Sequence, residues 1–259
     1  MMIRLIAASA LVLAMTTPTV FAETLQVGAY PSNPPWEFKN EKSEFEGFEV
    51  DLVKEIAKRL GADLAISDLG FQALFAATAS GRIDMAISSI TITQERLQNQ
   101  DFTQGYYDSD LGLLTNGEVT NLDGMKGKPV GALASSVGEK WISENTADKG
   151  FGEYKSYSDQ QGLLLDTSNG RVAGAIGDIL GFEYAAEQMK GIKVVERIKT
   201  GESFGIMLPK GSPNLERVNN AISEIKKDGT LAKIYEKWLK VAPVEGTSST
   251  TVLPIPKAE

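Results

Sequence analysis

The chain contains neither cysteine nor histidine. That double absence removes Ser-His-Asp and Cys-His nucleophilic catalysis, disulfide staples, and every metal site built on imidazole or thiolate. Oxygen-only cation sites survive the exclusion. Asp108-Ser109-Asp110 is the nearest acidic cluster, and it lacks the rest of a calcium loop. No metal and no cofactor is therefore expected. Basic residues are outnumbered 26 to 34, a formal charge of −8, which disfavours nucleic acid and anionic membrane surfaces as partners. Long hydrophobic runs are also missing. The apolar stretch Leu5 to Met15 is too short to cross a bilayer comfortably, and no second segment approaches that length.

What is present reads as an exported globular protein. Arg4, the run Leu5 to Met15 and the small-residue site Val20-Phe21-Ala22 form a secretory signal over 1–22, with cleavage expected after Ala22. Losing Arg4 leaves 25 basic against 34 acidic residues, or −9. No cysteine follows the cleavage site, so a lipid anchor is not expected. Export permits disulfides, yet none can form, so stability must come from packing. At 42% hydrophobic over 259 residues there is ample core for one large or two small domains.

Periodicity predicts α/β alternation. Leu25 to Ala29 reads as a strand running into a Pro-rich loop, Pro31 to Trp36. Val50, Val53, Ile56, Ala57 and Leu60 recur at helical spacing, with Gly61 at the stop. Strand Asp63 to Asp68, helix Phe71 to Ser80 and strand Ile83 to Ile87 follow, which implies a mostly parallel sheet. The phrase Ser80-Gly81-Arg82-Ile83-Asp84-Met85-Ala86-Ile87 then returns as Asn169-Gly170-Arg171-Val172-Ala173-Gly174-Ala175-Ile176. Two copies suggest two similar lobes, although a shared helix-stop-strand pattern would also produce them. In the second half, Lys128 to Leu133 and Ile192 to Ile198 read as strands, and Ser136 with Glu139 has capping-box spacing. Ser212-Pro213 opens a helix through Ile225, Leu231 to Leu239 forms another, and the Pro-, Ser- and Thr-rich stretch 243–259 predicts a disordered tail.

Residues 81–96 carry the clearest chemistry. A short apolar strand runs out into Ser88-Ser89, and Thr91 or Thr93 caps a helix that holds Arg96. Hydroxyl and backbone donors beside a guanidinium make a receptor for one small carboxylate, because the Arg fork bonds both oxygens. A plain polar strand-to-helix turn with a surface arginine would carry the same residues.

Read together, Gly47-Phe48-Glu49-Val50-Asp51-Leu52, Ser80 to Asp84, Ser88 to Arg96, Asp101-Phe102-Thr103 before Tyr106-Tyr107, Val130-Gly131 to Ser135-Ser136, Gly177-Asp178 and Lys227-Asp228-Gly229-Thr230 match one family in order and spacing. Thr24 to Lys240 resembles the bacterial periplasmic solute-binding proteins for amino acids (family 3; the histidine, lysine–arginine–ornithine and glutamine binding type), the capture subunits of ABC importers. The resemblance implies a two-lobed periplasmic-binding-protein fold of type II. Residues 24–108 with 205–242 would form one lobe and 111–202 the other, closing about two crossing strands on a ligand. It also implies that Arg96 takes the ligand α-carboxylate. Ser89, Thr91 and Ser136, with Ser88 and Ser135 beside them, would hold that group and the ammonium, and Asp178 would bind the α-ammonium. A monomer that meets a membrane ABC permease transiently is the matching expectation.

The chain departs from the basic-amino-acid binders at two places. Tyr30 stands where they carry an aspartate, and Asn33 where they carry an aromatic. A polar or aromatic α-amino acid rather than a simple dibasic one is therefore expected, stacked on Tyr30 with Phe71 opposite. Phe71 and Trp36 have an equally simple reading as core. Two further classes stay open. One is an exported enzyme of arogenate or prephenate dehydratase type, with Glu37 or Glu49 as general acid. The other is a sensor module, which the lack of a transmembrane or kinase segment disfavours.

Overall fold

The computed structural model describes residues 23–259; the predicted signal segment, 1–22, lies outside the described residues. The chain begins with β1 (Thr24–Ala29), then a small antiparallel sheet of β2 (Ser32–Asn33), β3 (Glu37–Lys39) and β4 (Phe45–Glu46), α1 (Phe48–Leu60), β5 (Asp63–Asp68), α2 (Phe71–Ala79), β6 (Met85–Ile87), α3 (Gln94–Leu97) and β7 (Gln100–Phe102). The crossing strand β8 (Tyr107–Thr115) leads to β9 (Val130–Leu133), α4 (Val137–Lys149), β10 (Tyr154–Tyr157), α5 (Gln160–Ser168), β11 (Gly174–Asp178) and α6 (Ile179–Gln188). A long return strand, β12 (Lys193–Phe204), brings the chain back to β13 (Met207–Pro209), α7 (Leu215–Lys227) and α8 (Thr230–Leu239).

The strands form two five-stranded sheets with one shared logic, β5-β1-β6-β13-β7 and β10-β9-β11-β8-β12. In each, the first three strands are parallel and the last two are joined by antiparallel pairings. The sheets are thus less uniformly parallel than βαβ alternation suggests, because each is completed by a strand arriving from or leaving for the other half. β8 and β12 pair antiparallel along the crossing, with a bulge between Ile198 and Glu202. Asp110 fixes that bulge by accepting from the backbone N–H groups of Thr200 and Gly201 at 2.9 and 3.1 Å.

Each sheet is covered by the apolar faces of its helices. α1 buries Val50, Leu52, Val53, Ile56 and Ala57 against Leu25, Val27, Met85 and Ile87 of its sheet. Each such side chain withdrawn from water contributes roughly 1.5–3 kcal/mol. Leu111, Leu113, Val130, Ala132 and Ile176 centre the core of the second lobe. An aromatic cluster of Trp36, Phe48, Tyr107 and Phe204 locks the crossing strands to the first lobe, with Trp36 and Tyr107 ring centroids 4.6 Å apart.

Local signals hold where hydrogen bonds can be checked. Thr93, rather than Thr91, caps α3 by accepting from the Arg96 N–H. Ser136 caps α4, while the Glu139 carboxylate reaches back to the Ser135 N–H rather than to Ser136. The tail departs from expectation. Instead of running free, 243–259 folds back over the first lobe, with Ser248 and Ser249 buried. Ser248 donates its N–H and hydroxyl to Asp108, Ser249 bonds the Tyr106 carbonyl, and the Leu253 N–H bonds Gln104. The Thr251 carbonyl accepts from the buried Lys226 ammonium at 2.8 Å. Hydroxyl-rich chain reads as solvated, but here it supplies further partners to Asp108 and to the buried Gln104 and Lys226.

Candidate functional site

A cavity of about 60 Å³ lies between the two sheets, where β6 and β11 end and the crossing strands pass. Tyr30, Asn33, Phe71, Ser88, Ser89, Thr91 and Arg96 line it from the first lobe, Ser136 and Asp178 from the second. Nine of the ten residues singled out from sequence thus meet at one place. Ser135 does not line the cavity. It sits in a turn with φ +63°, which directs its carbonyl to the Arg96 Nη2 at 3.0 Å and its hydroxyl to Gln72, on an outer groove.

The lobes are closed on one another. The Tyr30 hydroxyl accepts from the Gln160 N–H at 2.9 Å, and the Trp36 indole N–H donates to Asp178 at 2.8 Å. The Arg96–Ser135 bond and a Lys140–Glu95 ion pair at 2.7 Å close the opposite rim.

Arg96 is placed by the first turn of α3. Its Nη1 donates to the Thr91 carbonyl at 2.7 Å, and its guanidinium lies 4.9 Å from the Phe75 ring centroid. Its hydrogen-bond acceptors are neutral carbonyls, while Glu202 and Glu95 act on it only through space. Loss of water lowers its pKa to about 10. A cation held by neutral acceptors at a cavity wall keeps its charge available to an anion. Asp178 ends β11 and caps α6, accepting from the Gly181 N–H at 2.9 Å and the Ser109 hydroxyl at 2.7 Å as well as from Trp36. Asp178 is therefore a helix cap and a cavity-facing acid at once. Burial pushes its carboxyl above the usual range against those three bonds.

Behind the serine wall lies a second acid pair. Ser89, at φ +43°, turns its N–H onto both oxygens of Glu49 at 2.9 and 3.0 Å, and the Tyr106 hydroxyl donates to the same carboxylate. Glu37 stands beside it, fully buried, with neither oxygen meeting a donor among the described residues. Burial, then the Glu49 charge, pushes Glu37 well up, so Glu37 is the protonated partner. Neither acid has any exposure and neither lines the cavity. Glu49 braces Ser89, and neither of these two acids is presented to the cavity.

Asp108, Ser109 and Asp110 turn to three separate partners, Ser248, Asp178 and the β12 bulge. Trp36 is fully buried and meets the site only through its bond to Asp178. Sequence reasoning missed Glu202, Gln160, Leu163 and Phe182, all of which line the cavity. Gln160 was signalled by Asp159, which caps α5 in the manner of any N-cap aspartate.

Two α/β lobes closing on a cavity that sets a cation from one against an anion from the other define a solute-binding protein. Residues 25–241 match the family model of bacterial extracellular solute-binding proteins, family 3, and the chain belongs to that family. The histidine-binding periplasmic protein of Escherichia coli (strain K12) is 31% identical over 255 residues, spanning 91% of this chain and 96% of that one. ABC transporter arginine-binding protein 1 of the same organism is 28% identical over 237 residues, 89% of this chain and 96% of its own. The solved structure of an ancestral arginine-binding protein bound to glutamine superposes with a TM-score of 0.79 at 33% identity, covering 85% of this chain and all (100%) of that one. The solute-binding role stands, and nothing here supports the dehydratase alternative.

Proposed function

We propose that this chain captures a free α-amino acid in the periplasm and hands it to an ABC permease, without catalysing any reaction. One observation carries the reading: the Arg96 guanidinium and the Asp178 carboxylate come from opposite lobes and face a single cavity. Only a zwitterion satisfies both, so binding and closure are one event. Arg96, Thr91 and Ser136 take the α-carboxylate, Ser88 and Ser89 stand beside them, and Asp178 takes the α-ammonium. Apart from Glu202, on the crossing strand, the rest of the lining is neutral: Tyr30, Asn33 and Gln160 offer polar groups, and Phe71, Leu163 and Phe182 apolar ones. The neutral part of that lining favours a polar or aromatic side chain over a second cation; among the relatives, one is named for histidine and one solved structure holds glutamine, while others are named for arginine, so arginine is the competing ligand to test. Cleavage after Ala22, a monomeric state and transient docking to the permease complete the reading.

The test is a thermal-shift survey of every common L-α-amino acid and of arogenate, on protein unfolded and refolded to strip bound solute. Calorimetry follows on each hit and on Arg96→Ala. A neutral amino acid bound at micromolar strength, about −8 kcal/mol, with binding lost in the variant, is the expected result. Product formed from arogenate, or no shift with any amino acid, would overturn it.

A further inference from the structure

Arg96, Asp178 and Glu202 are the three charged side chains that line the cavity among the described residues. A zwitterion neutralises the first two and leaves Glu202 over. Glu202 belongs to the crossing strand β12, directly opposite Ser109 across the ladder, and Ser109 bonds Asp178. The Thr91 hydroxyl donates to Glu202 at 3.2 Å. Glu202 is therefore set among the groups that receive the charged end of the ligand, away from the neutral wall of Leu163 and Phe182.

Acceptor capacity points the same way. An ammonium brings three N–H donors, and a carboxylate offers roughly four lone-pair sites. Asp178 already accepts from Gly181, Ser109 and Trp36. The Leu180 N–H also bears on it, so little of its acceptor capacity is left and the ammonium needs a second acceptor. We propose that Glu202 is the second carboxylate of the ammonium subsite, taking the ligand α-ammonium together with Asp178, and that capture leaves Glu202 charged. This rests on the amino-acid reading above and names a residue and a proton exchange that the reading does not require.

Burial, followed among the raising influences by the Asp178 charge, brings the Glu202 carboxyl to about 7. Near neutral pH the side chain then holds a proton part of the time, and an arriving ammonium expels it. The neighbouring groups are accounted for. Arg96 faces Glu202 from α3 and Asp178 from the end of β11, while Glu95 acts on Arg96 from the outer groove. Glu49 and Glu37 lie behind Ser89, on α1 and β3. Tyr107, on β8, is pushed far above its usual range and stays neutral. Because several of these acids titrate, the variant rather than the wild-type profile isolates Glu202.

The experiment is calorimetric titration near neutral pH in phosphate and in Tris, whose ionisation enthalpies differ. The probe is whichever common L-α-amino acid gives the largest thermal shift. Wild type should release a fraction of a proton on binding. Glu202→Gln should bind about tenfold more weakly and release none, and Glu202→Asp should bind weakly and still release a proton. If Glu202→Gln keeps the wild-type Kd, or loses affinity yet releases the same fraction of a proton, the assignment falls while the amino-acid reading stands. If the wild type binds no amino acid, both fall together.

Discussion

Two stretches of this chain, Leu74 to Ser89 and Leu163 to Asp178, are the same device used twice. Thr78 and Thr167 each donate back to a leucine carbonyl one turn earlier, both at 2.8 Å. Gly81 and Gly170 then take φ +69° and +71°, a left-handed step that stops the helix. The next residue closes the turn in both, Arg82 to the Ala77 carbonyl and Arg171 to that of Asp166. The strand that follows pairs in parallel with β1 in one lobe and β9 in the other. Only past the strand do they part. The first runs into Ser88-Ser89 and a short loop before Thr93 caps the arginine helix. The second passes straight from Asp178 into α6. One frame delivers opposite charges to the same cavity, a guanidinium from the first lobe and a carboxylate from the second. The scaffold can be duplicated cheaply because selectivity resides in the few residues beyond the strand ends.

That comparison can be broken or sharpened by substitution. The largest effect is expected from Arg96→Ala, which should cost at least about 3 kcal/mol of binding, over 100-fold. The fold should survive, since the freed partners are two carbonyls that water can reach; an unchanged Kd would remove Arg96 from the site. Asp178→Asn should weaken α-amino acids by about 2 kcal/mol more than their deaminated analogues. It should also lower unfolding stability by up to about 1 kcal/mol through the α6 cap. Equal losses for the two ligand types would leave Asp178 a cap and nothing else.

Glu202 tests what the crossing strand adds to the pair. Its folded pKa of about 7 lies above the reference 4.5, so the folded state holds the proton longer. Stability on this account is full at low pH and declines as pH rises from about 4.5 to about 7, by no more than about 3 kcal/mol. Glu202→Gln should therefore raise the Tm at about pH 8 and change it little at about pH 4.5. The same gain at both pH values would mean that burial of the charge is not the cost. The smallest effects belong to the frame. Gly81→Ala and Gly170→Ala should each destabilise by about 1 kcal/mol, because alanine resists the left-handed step. A mismatch beyond about 0.5 kcal/mol in chemical denaturation would show that the two turns are not energetically equivalent.

How much of this was legible without coordinates follows from the range of the forces involved. The repeated turn is encoded within a dozen residues, and it was readable. Arg96 was readable from its place in the short helix after a serine-ended strand, and Asp178 only through the family resemblance. Glu202 was not, because its place depends on a bulge that Asp110 pins from 90 residues away. Ser135 was misplaced for a related reason. Its left-handed turn leaves no mark in a residue that is not glycine. The tail was misread because hydroxyl-rich sequence looks the same whether it serves water or an Asp108 carboxylate and a buried Lys226. Glu49 sits in the first turn of α1, where an acid needs no explanation beyond the helix dipole. Nothing local announces the Glu37 that shares its proton.

The indole of Trp36 reaches from the first lobe to Asp178 in the second. The other two tryptophans each stay within one lobe, Trp141 against Phe151 and Trp238 against Asp51. The molecule therefore carries its own optical gauge. When the lobes part, one fluorophore of three exchanges a carboxylate for water, and its emission should move while the others hold still. Solute capture can be followed in real time, unlabelled, by light alone.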